Sequence, residues 1–248
     1  PARQTRRMDG DFRMKRIDTV AVIGAMEAEI DSLKNLLEAP QTHRFGSDIV
    51  IYSGTFAGRQ MVLCLSGIGK VNAAIATTLL IERFNPDCVI NTGSAGGVGD
   101  GLKIGDVLIG SQSAHHDADV TAFGYQYGQL PGMPPRFDSD ETLMAAAEKA
   151  AAAFQAASVR RGLVVSGDSF VHSESELARI RSRFADVQAV EMEAAAIAQT
   201  CTRLQKPFVI IRAVSDSASD EAQVSFETFL QTAAVHSAQM VQDLIRSL

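Results

Sequence analysis

An arginine and an aspartate stand at the end of a short apolar run in FVIIRAVSDSAS, residues 208–219. A run of this kind predicts a strand that is buried on both faces, as in parallel sheets covered by helices. Ligands of such sheets bind at the carboxyl ends of the strands, where Arg212 and Asp216 would lie. An aspartate there can exchange a proton with a ligand, and an arginine can hold an anion or a second carboxylate.

Two glutamates follow the first predicted strand, Thr19–Gly24. Glu27 and Glu29 fall in the first turn of a predicted helix, where the helix dipole favours carboxylates. Only one of them can point back over the end of the strand. The segment by itself leaves open whether that glutamate is functional or only supports the helix.

A second pair of glutamates, Glu191 and Glu193, stands at the start of a helix rich in alanine. The run of small residues at 194–198 indicates close packing, so both carboxylates would enter a crowded place. A buried carboxylate needs a partner or a role. Glutamates are also common at helix starts, so a functional role and a local structural one are equally open for this pair.

Residues 66–70, SGIGK, form a glycine-rich turn between a predicted strand and a predicted helix. The spacing fits neither GxGxxG nor GxxxxGK[ST], the two common phosphate-binding patterns. We therefore interpret this segment as a tight turn that lets the backbone approach a ligand or a neighbouring strand.

Histidine and aspartate cluster in HHDADVT, residues 115–121, in a way that suggests metal ligands. No carboxylate–histidine spacing here matches a known site geometry, and zinc sites usually take at least three protein ligands. We therefore predict no metal and no cofactor. The segment that follows, up to Phe137, is rich in aromatic residues, glycine and proline, and a long ordered loop of this kind indicates a functional or interface element.

Apolar runs alternate with helical periodicity along most of the chain, which predicts an α/β fold. The predicted strands span residues 19–24, a hairpin over 48–65, 88–93, 106–113, 161–166 and 208–215. The predicted helices span residues 26–37, 71–84, 140–157, 173–183, the segment around 191–198 and an amphipathic stretch from 225, in which Phe229 would face inward. Without an internal repeat or a linker, this order predicts one three-layer sandwich over residues 18–248, with a mixed, largely parallel central sheet flanked by helices.

Residues 1–17 differ from the rest, because they are basic and polar without apolar periodicity. They lack the hydrophobic region of a secretory signal, and their aspartates argue against a transit peptide. We therefore predict a disordered N-terminal extension outside the fold.

The composition excludes several classes of protein. A formal net charge of -6 without a long basic face argues against a nucleic-acid or anionic membrane partner. No apolar run approaches the roughly 18–20 residues of a membrane span. The three cysteines lack CxxC spacing, and their apolar surroundings predict reduced, buried thiols in a cytoplasmic protein.

Seven short segments, spread over residues 18–248, carry the most informative pattern in the chain. They are IGAMEAE (23–29), SGIGK (66–70), NTGSAGG (91–97), HDADVTAFGYQYGQLPG (116–132), SGDSF (166–170), VEMEAAAIA (190–198) and RAVSDSA (212–218). Together they resemble the bacterial 5′-methylthioadenosine/S-adenosylhomocysteine nucleosidases. The last two are typical of the wider nucleoside phosphorylase superfamily, whereas the first and the fourth are specific to the nucleosidases.

The resemblance implies hydrolysis of the N-glycosidic bond of 5′-methylthioadenosine and S-adenosylhomocysteine, and also of 5′-deoxyadenosine. Adenine and a 5-thioribose product would be released, as in methionine salvage and the recycling of S-adenosylmethionine by-products. The reaction forms a ribosyl cation and expels a purine that is a poor leaving group as an anion. It therefore needs an acid for the purine, a base for water and negative charge near the sugar.

The resemblance also implies a role for each candidate catalytic residue. Asp216 would protonate adenine N7, with Ser215 orienting it, and Glu29 would activate the water. Glu193 would bind the ribose hydroxyls and offset the developing positive charge. Arg212 would lie near Glu193 and the water.

Further residues would contact the substrate in a member of this family. Phe170 would stack on adenine, and backbone groups of Val171 would read its Watson–Crick edge. Met192 would pack under the ribose, and Ser94 would lie near the water and the sugar.

The 5′ substituent of the implied substrate is an uncharged thioether, so its pocket should be apolar. By resemblance, the residues from the same subunit are Met26, Ile68 and Phe226. Those from the partner subunit of a homodimer are Val120, Phe123 and Pro131. This arrangement would explain the long aromatic loop as an interface element.

Three alternatives remain beside this interpretation. A purine nucleoside phosphorylase would need arginines at its phosphate, and the stretch near Ile68 and Ser94 offers none but would place Glu29 there, which repels phosphate. A nucleoside-binding protein without activity would need neither Asp216 nor Glu29. A nucleosidase for another 5′-modified adenosine, such as aminodeoxyfutalosine, is not excluded.

Overall fold

Ten strands join in one sheet within residues 16–219 and 221–248, which this computed structural model describes. The strands are β1 (Thr19–Gly24), β2 (Glu38–Phe45), β3 (Ile49–Phe56), β4 (Arg59–Leu65), β5 (Cys88–Gly97), β6 (Val107–His115), β7 (Phe137–Asp138), β8 (Val159–Ser166), β9 (Val187–Glu191) and β10 (Phe208–Asp216). The helices are α1 (Glu27–Lys34), α2 (Lys70–Phe84), α3 (Glu141–Ala151), α4 (Glu174–Arg183), α5 (Ala194–Arg203) and α6 (Ala222–Ser247), with one 3₁₀ turn at Thr121–Phe123.

Parallel pairs form the middle of the sheet, in the order β4, β1, β5 and β10. On one side β3 and β2 add antiparallel strands. On the other side β10 pairs antiparallel with β6, which is followed by β8 and β9 in parallel. β9 then pairs antiparallel with the end of β5, so this part of the sheet closes on itself. The closure brings the carboxyl ends of β1, β5, β9 and β10 to one place.

Helices cover both faces of this sheet. α1, α3 and α6 pack on one face, and α2 and α5 pack on the other. Successive strand residues alternate between the two layers, as the pleat requires. Val22 and Ile90 belong to the core under α6, and Ala21 and Val89 belong to the core under α2 and α5. The arrangement confirms the predicted α/β sandwich with a mixed central sheet.

Several boundaries differ from the sequence-based prediction. β2 was missed because its residues are mostly exposed and lack apolar alternation. β5 continues beyond Gly93 to Gly97, since β10 and β9 both pair with that stretch. α3 ends at Ala151 rather than at residue 157. On α6, Phe229 is 37% exposed and does not face the core.

The chain start is only partly described. The predicted disordered extension, residues 1–17, falls mostly on residues 1–15, which lie outside the described residues. Ile17 packs against the core under α6 and therefore belongs with the fold. The prediction of a single domain over residues 18–248 stays a prediction.

Candidate active site

A cavity of about 250 Å³ opens where β5, β9 and β10 end and where α1 and α6 begin. Its wall is mainly apolar, and most of the predicted site residues lie in it. These are Met26, Glu29, Ile68, Ser94, Phe170, Val171, Met192, Glu193, Ser215, Asp216 and Phe226. The three predicted carboxylates, Glu29, Glu193 and Asp216, therefore meet at a single, mainly apolar cavity, and Glu191 lines it as well.

Asp216, the last residue of β10, is 3% exposed. The Ser215 hydroxyl donates a hydrogen bond to Asp216 Oδ2, and the Ala218 amide donates one to Oδ1, each at 2.8 Å. Burial raises the pKa of Asp216, and the two hydrogen bonds lower it by less. A carboxyl group with a raised pKa holds its proton more readily, which suits a proton donor.

Glu29 enters the cavity from the first turn of α1, whereas Glu27 in the same turn is exposed. The amides of Ala25 and Met26 donate to Glu29 Oε2 at 2.9 and 3.1 Å. The amide and hydroxyl of Ser94 donate to Oε1 at 2.9 and 3.0 Å. The carboxylate is thus held between the start of α1 and the end of β5.

Glu193 is the residue immediately before α5 and is 5% exposed. Its Oε1 accepts a hydrogen bond from the Gly69 amide at 2.9 Å, in the SGIGK turn. Gly69 has a φ of 97°, a backbone conformation that favours glycine. Burial, together with the charge of Glu191, raises the pKa of Glu193 to about 7, against the opposing effect of Arg212. The glycine-rich turn therefore supplies a backbone hydrogen bond to the carboxylate of Glu193.

Arg212 lies behind the cavity wall and is 1% exposed. Its Nη2 makes a short ion pair with Glu191 and donates to Asn91 Oδ1 at 2.8 Å, whereas Glu193 Oε2 is 3.4 Å away. Its Nη1 donates to the Ser94 carbonyl at 3.2 Å. The main partner of Arg212 is therefore Glu191 and not Glu193.

The guanidinium passes so close to β5 that only glycine fits at position 93. A Cβ atom there would lie 2.2 Å from Arg212 Nη1 and 2.9 Å from Glu29 Oε1. Gly93 thus lets the arginine and the glutamate approach one another across the strand.

Two aromatic rings cover the open side of the cavity. Phe170, 39% exposed, meets Phe226 edge to face with ring centroids 5.7 Å apart. Phe170 follows β8, and Phe226 lies in the first turns of α6. Val171 is buried beside them. The two rings line the same cavity as Asp216 and offer apolar surface suited to an aromatic base.

Comparisons with known proteins agree with this geometry. A family model described as the phosphorylase superfamily matches residues 19–246. A 5′-methylthioadenosine/S-adenosylhomocysteine nucleosidase of Anoxybacillus flavithermus is 52% identical over 229 residues, which cover 92% of this chain and 98% of that protein. The chain belongs to the 5′-methylthioadenosine/S-adenosylhomocysteine nucleosidase family. This membership confirms the resemblance indicated by the seven sequence segments.

Solved structures of similar proteins include one of the same family. The nucleosidase of Neisseria meningitidis, in complex with methylthio-immucillin-A, has a TM-score of 0.92 and 59% identity, covering 94% of this chain and 100% of that one. The futalosine hydrolase of Helicobacter pylori has a TM-score of 0.88 and 32% identity, covering 94% and 99%. The fold of this nucleosidase-family chain is thus shared with an enzyme named for another substrate.

The three residues expected from a partner subunit lie apart from the cavity of their own chain. They belong to the loop between β6 and β7. Phe123 is 81% exposed, Pro131 is exposed and Val120 is partly exposed. Their contribution to a partner's 5′ pocket stays a prediction.

Sequence reasoning left out two residues of this family member's site and left the role of a third open. Asn91 and Ser166 end up beside Arg212 and Glu191, although both lie within segments that carried the resemblance. Glu191 is the last residue of β9 rather than part of a helix. In an extended chain, residues two apart point the same way, so the Glu-x-Glu spacing was the available signal for Glu191.

Two side chains of the histidine–aspartate cluster are held by local contacts. His115 Nε2 lies 2.8 Å from Gln199 Oε1, and Asp117 pairs with Lys70 at 2.6 Å. Within the described parts of the chain, no group of three histidine, cysteine or acidic side chains could hold a metal ion. Over the same residues, no helix is both long enough and apolar enough to cross a membrane.

Proposed function

We propose that the chain hydrolyses the N-glycosidic bond of 5′-methylthioadenosine and S-adenosylhomocysteine, releasing adenine and the 5-thioribose product. The convergence of Glu29, Glu193 and Asp216 on one mainly apolar cavity is the observation that carries this proposal. The names and the identity of the relatives support the same substrate class.

Asp216 would act as the general acid. Its raised pKa favours the protonated form, and Ser215 orients the carboxyl group. Protonation at adenine N7 turns the leaving group into neutral adenine, which lowers the barrier to bond cleavage. The ring pair Phe170 and Phe226 would hold the base, and backbone groups of Val171 would read its edge.

Glu29 and Glu193 would serve the sugar side of the reaction. The Ser94 hydroxyl can turn its proton away from Glu29 Oε1, which then accepts a proton from water. Glu193 would bind the ribose hydroxyls with the oxygen that Gly69 leaves unused, while Met192 packs under the ring. Both negative charges stabilise the cationic transition state in a site with little water.

A phosphorylase would need cationic groups at its phosphate. No lysine or arginine lines the described cavity, and the nearest arginine, Arg212, is already engaged by Glu191. Glu29 would repel phosphate where the nucleophile must stand. These features favour water as the nucleophile.

A nucleosidase for another 5′-modified adenosine is the second candidate. The likeness to a futalosine hydrolase favours it, because the same fold carries that activity at 32% identity. The two candidates share all of the proposed chemistry at the purine and the ribose, and they differ only in the group at the 5′ carbon.

One assay tests the proposal. Purified protein is incubated with 5′-methylthioadenosine, with and without inorganic phosphate, and adenine and sugar products are measured. We expect free 5-methylthioribose at a rate that does not depend on phosphate. A sugar 1-phosphate formed only with phosphate would identify a phosphorylase instead. Hydrolysis rates of aminodeoxyfutalosine and S-adenosylhomocysteine, measured in parallel, show which of the two candidate nucleosidase activities the protein has.

We further propose that the active species is a homodimer in which each subunit completes the 5′ pocket of the other. The exposed apolar side chains at this end of the cavity support it. Ile68, which precedes α2, is 51% exposed, and Val71 and Ile75, four residues apart on α2, are 68% and 46% exposed. An exposed apolar face of this kind is typical of an interaction site. Val120, Phe123 and Pro131 supply the matching apolar group.

Replacing Phe123 tests the shared pocket. In Phe123→Ala, kcat/KM for 5′-methylthioadenosine should fall about tenfold or more, whereas kcat/KM for adenosine, which lacks the thioether, should change less. Val235→Ala removes another exposed apolar side chain, on α6, and serves as the control. Sedimentation gives the mass of the species. A fully active monomer would contradict the shared pocket.

We also propose a cytoplasmic location and no cofactor. Cys64, Cys88 and Cys201 are all free and buried, as expected in a reducing compartment. The proposed chemistry uses only carboxyl groups and water.

A further inference from the structure

Glu191 lines the cavity, yet its carboxylate has no capacity left for a substrate. It accepts hydrogen bonds from the amides of Glu193 and Ala194, at 3.0 and 2.9 Å for Oε2. It also accepts a short hydrogen bond from the Ser166 hydroxyl and pairs with Arg212. A carboxylate has about four acceptor positions, and these donors fill them. Whatever Glu191 does for the reaction, it does through its neighbours.

Ser166 fixes Glu191 from the adjacent strand. The two residues are paired in register between β8 and β9. The Ser166 hydroxyl donates to Glu191 Oε1 and accepts from the Ala195 amide at 2.8 Å, so it joins the end of β9 to the first turn of α5. Ser166 is completely buried. The position of Glu191 is thus set by the protein and not by a ligand.

Arg212 contacts Glu191 more closely than Glu193. Its Nη2 makes a short contact with Glu191, but lies 3.4 Å from Glu193 Oε2. The other oxygen of Glu193 already accepts from Gly69. Because Glu191 holds the guanidinium, Oε2 of Glu193 stays weakly engaged, in a residue that lines the cavity.

We propose that Glu191, anchored by Ser166 and the start of α5, is a positioning residue that holds Arg212 away from Glu193 and so keeps Glu193 available to the ribose hydroxyls. The inference rests on the proposed nucleosidase function and adds a residue to it. Glu191 touches no reacting atom. Glu29, Glu191 and Glu193 surround Arg212, and Glu191 determines which of these carboxylates pairs with it.

The charges around Glu193 give the inference a measurable consequence. Glu191 faces it from β9, Arg212 from β10 and Glu29 from α1. Glu193 also accepts a hydrogen bond from the Gly69 amide at the start of α2. The Lys70 ammonium group next to Gly69 is paired with Asp117. Neutralising Glu191 removes a like charge and releases Arg212 towards Glu193. Both changes lower the pKa of Glu193.

Activity should require Glu193 in its ionised form, so the acidic limb of the kcat/KM profile follows its pKa. In Glu191→Gln that limb should move to lower pH by about one unit. Near pH 8, where Glu193 is ionised in both proteins, KM for 5′-methylthioadenosine should rise roughly tenfold, because Arg212 now competes with the ribose. Adenine release measured from about pH 5 to pH 9 gives both quantities.

Glu191→Asp keeps the negative charge, so the acidic limb of its kcat/KM profile should stay close to that of the parent protein. If Glu191 had a purely structural role, its charge would not determine the position of this limb. Glu27→Gln removes one exposed carboxylate from the first turn of α1 and serves as the charge-matched control, with no change expected. A folded Glu191→Gln protein with an unmoved limb and an unchanged KM would overturn the inference.

Ser166→Ala supplies a second test that keeps every charge. Loosening the anchor of Glu191 should shift the limb in the same direction by a smaller amount and raise KM. If Glu191→Gln does not fold, a Ser166→Ala profile that superimposes on the parent overturns the inference. A parent protein that releases no adenine would overturn the proposed function itself, whereas an active parent with insensitive variants refutes only the role of Glu191.

Discussion

The polar floor and the apolar roof of the cavity are built in different ways. The floor comprises Glu29, Ser94, Glu191, Glu193 and Asp216. All of these residues are buried, and each carboxylate among them accepts a hydrogen bond from at least one backbone amide. The roof comprises Met26, Ile68, Phe170 and Phe226. These side chains are all at least partly exposed, and Phe170 contacts the rings of Phe226 and His172.

The difference separates chemistry from binding. Floor groups are oriented by strand ends and helix starts, so the charges stand ready before a substrate arrives, which is the main source of electrostatic catalysis. Roof side chains lose their exposure only when a ligand or a partner covers them, so they supply binding energy. Changes to Glu29 or Asp216, the floor groups that would move protons, should therefore act mainly on kcat, and changes in the roof mainly on KM.

The largest effect is expected for Asp216→Asn in the floor. The amide preserves the shape and can still accept from the Ala218 amide, so the fold should be retained. It cannot donate a proton to adenine N7, so kcat should fall at least about 100-fold, while nucleoside binding is kept. Single-turnover release of adenine and equilibrium binding of a substrate analogue measure the two quantities. Near-parental turnover would remove Asp216 from the role of acid.

A smaller effect is expected for Phe170→Ala in the roof. Loss of a stacking ring should raise KM roughly tenfold, within the range of about 1–3 kcal/mol for stacking of a base on an aromatic ring. The floor is untouched, so kcat should change by less than about threefold. Phe229→Ala is the matched control, because Phe229 is a similarly exposed ring on α6 that does not line the cavity. A fall in kcat with unchanged KM would break the division between floor and roof.

The smallest effect concerns stability rather than activity. The pKa of Glu193 rises from 4.5 to about 7 on folding, so the stability linked to its protonated form is present below 4.5 and is lost as the pH rises through about 7. Glu193→Gln should therefore match the parent near pH 5 and melt about 3 °C or more above it near pH 8. Thermal unfolding at both pH values checks this, with Glu27→Gln as the control. An equal difference at both pH values would show that charge is not the cause.

Local signals found the right strand ends but not their partners. The apolar runs that end at Gly93 and before Arg212 were sufficient to predict buried strands. They could not tell that β9 closes back onto β5, because that pairing depends on residues about 100 positions apart. Glu191 was assigned to a helix for this reason, since a five-residue strand beside an alanine run carries too weak a periodicity. β2 was not predicted because it is an exposed edge strand without an apolar face.

The sequence by itself determined the kinds of group at the site. Acids at the ends of short apolar runs, a glycine turn and small residues around them indicated the chemistry, and the seven segments indicated the family. Only the tertiary structure decided how the charges are paired. Four carboxyl groups and one arginine come from different strands and helices, and their pairing depends on which of these groups the fold brings within hydrogen-bond distance. Arg212 was expected near Glu193 and lies 3.4 Å from it, but its short ion pair is with Glu191, which the register of β8 and β9 places beside Ser166.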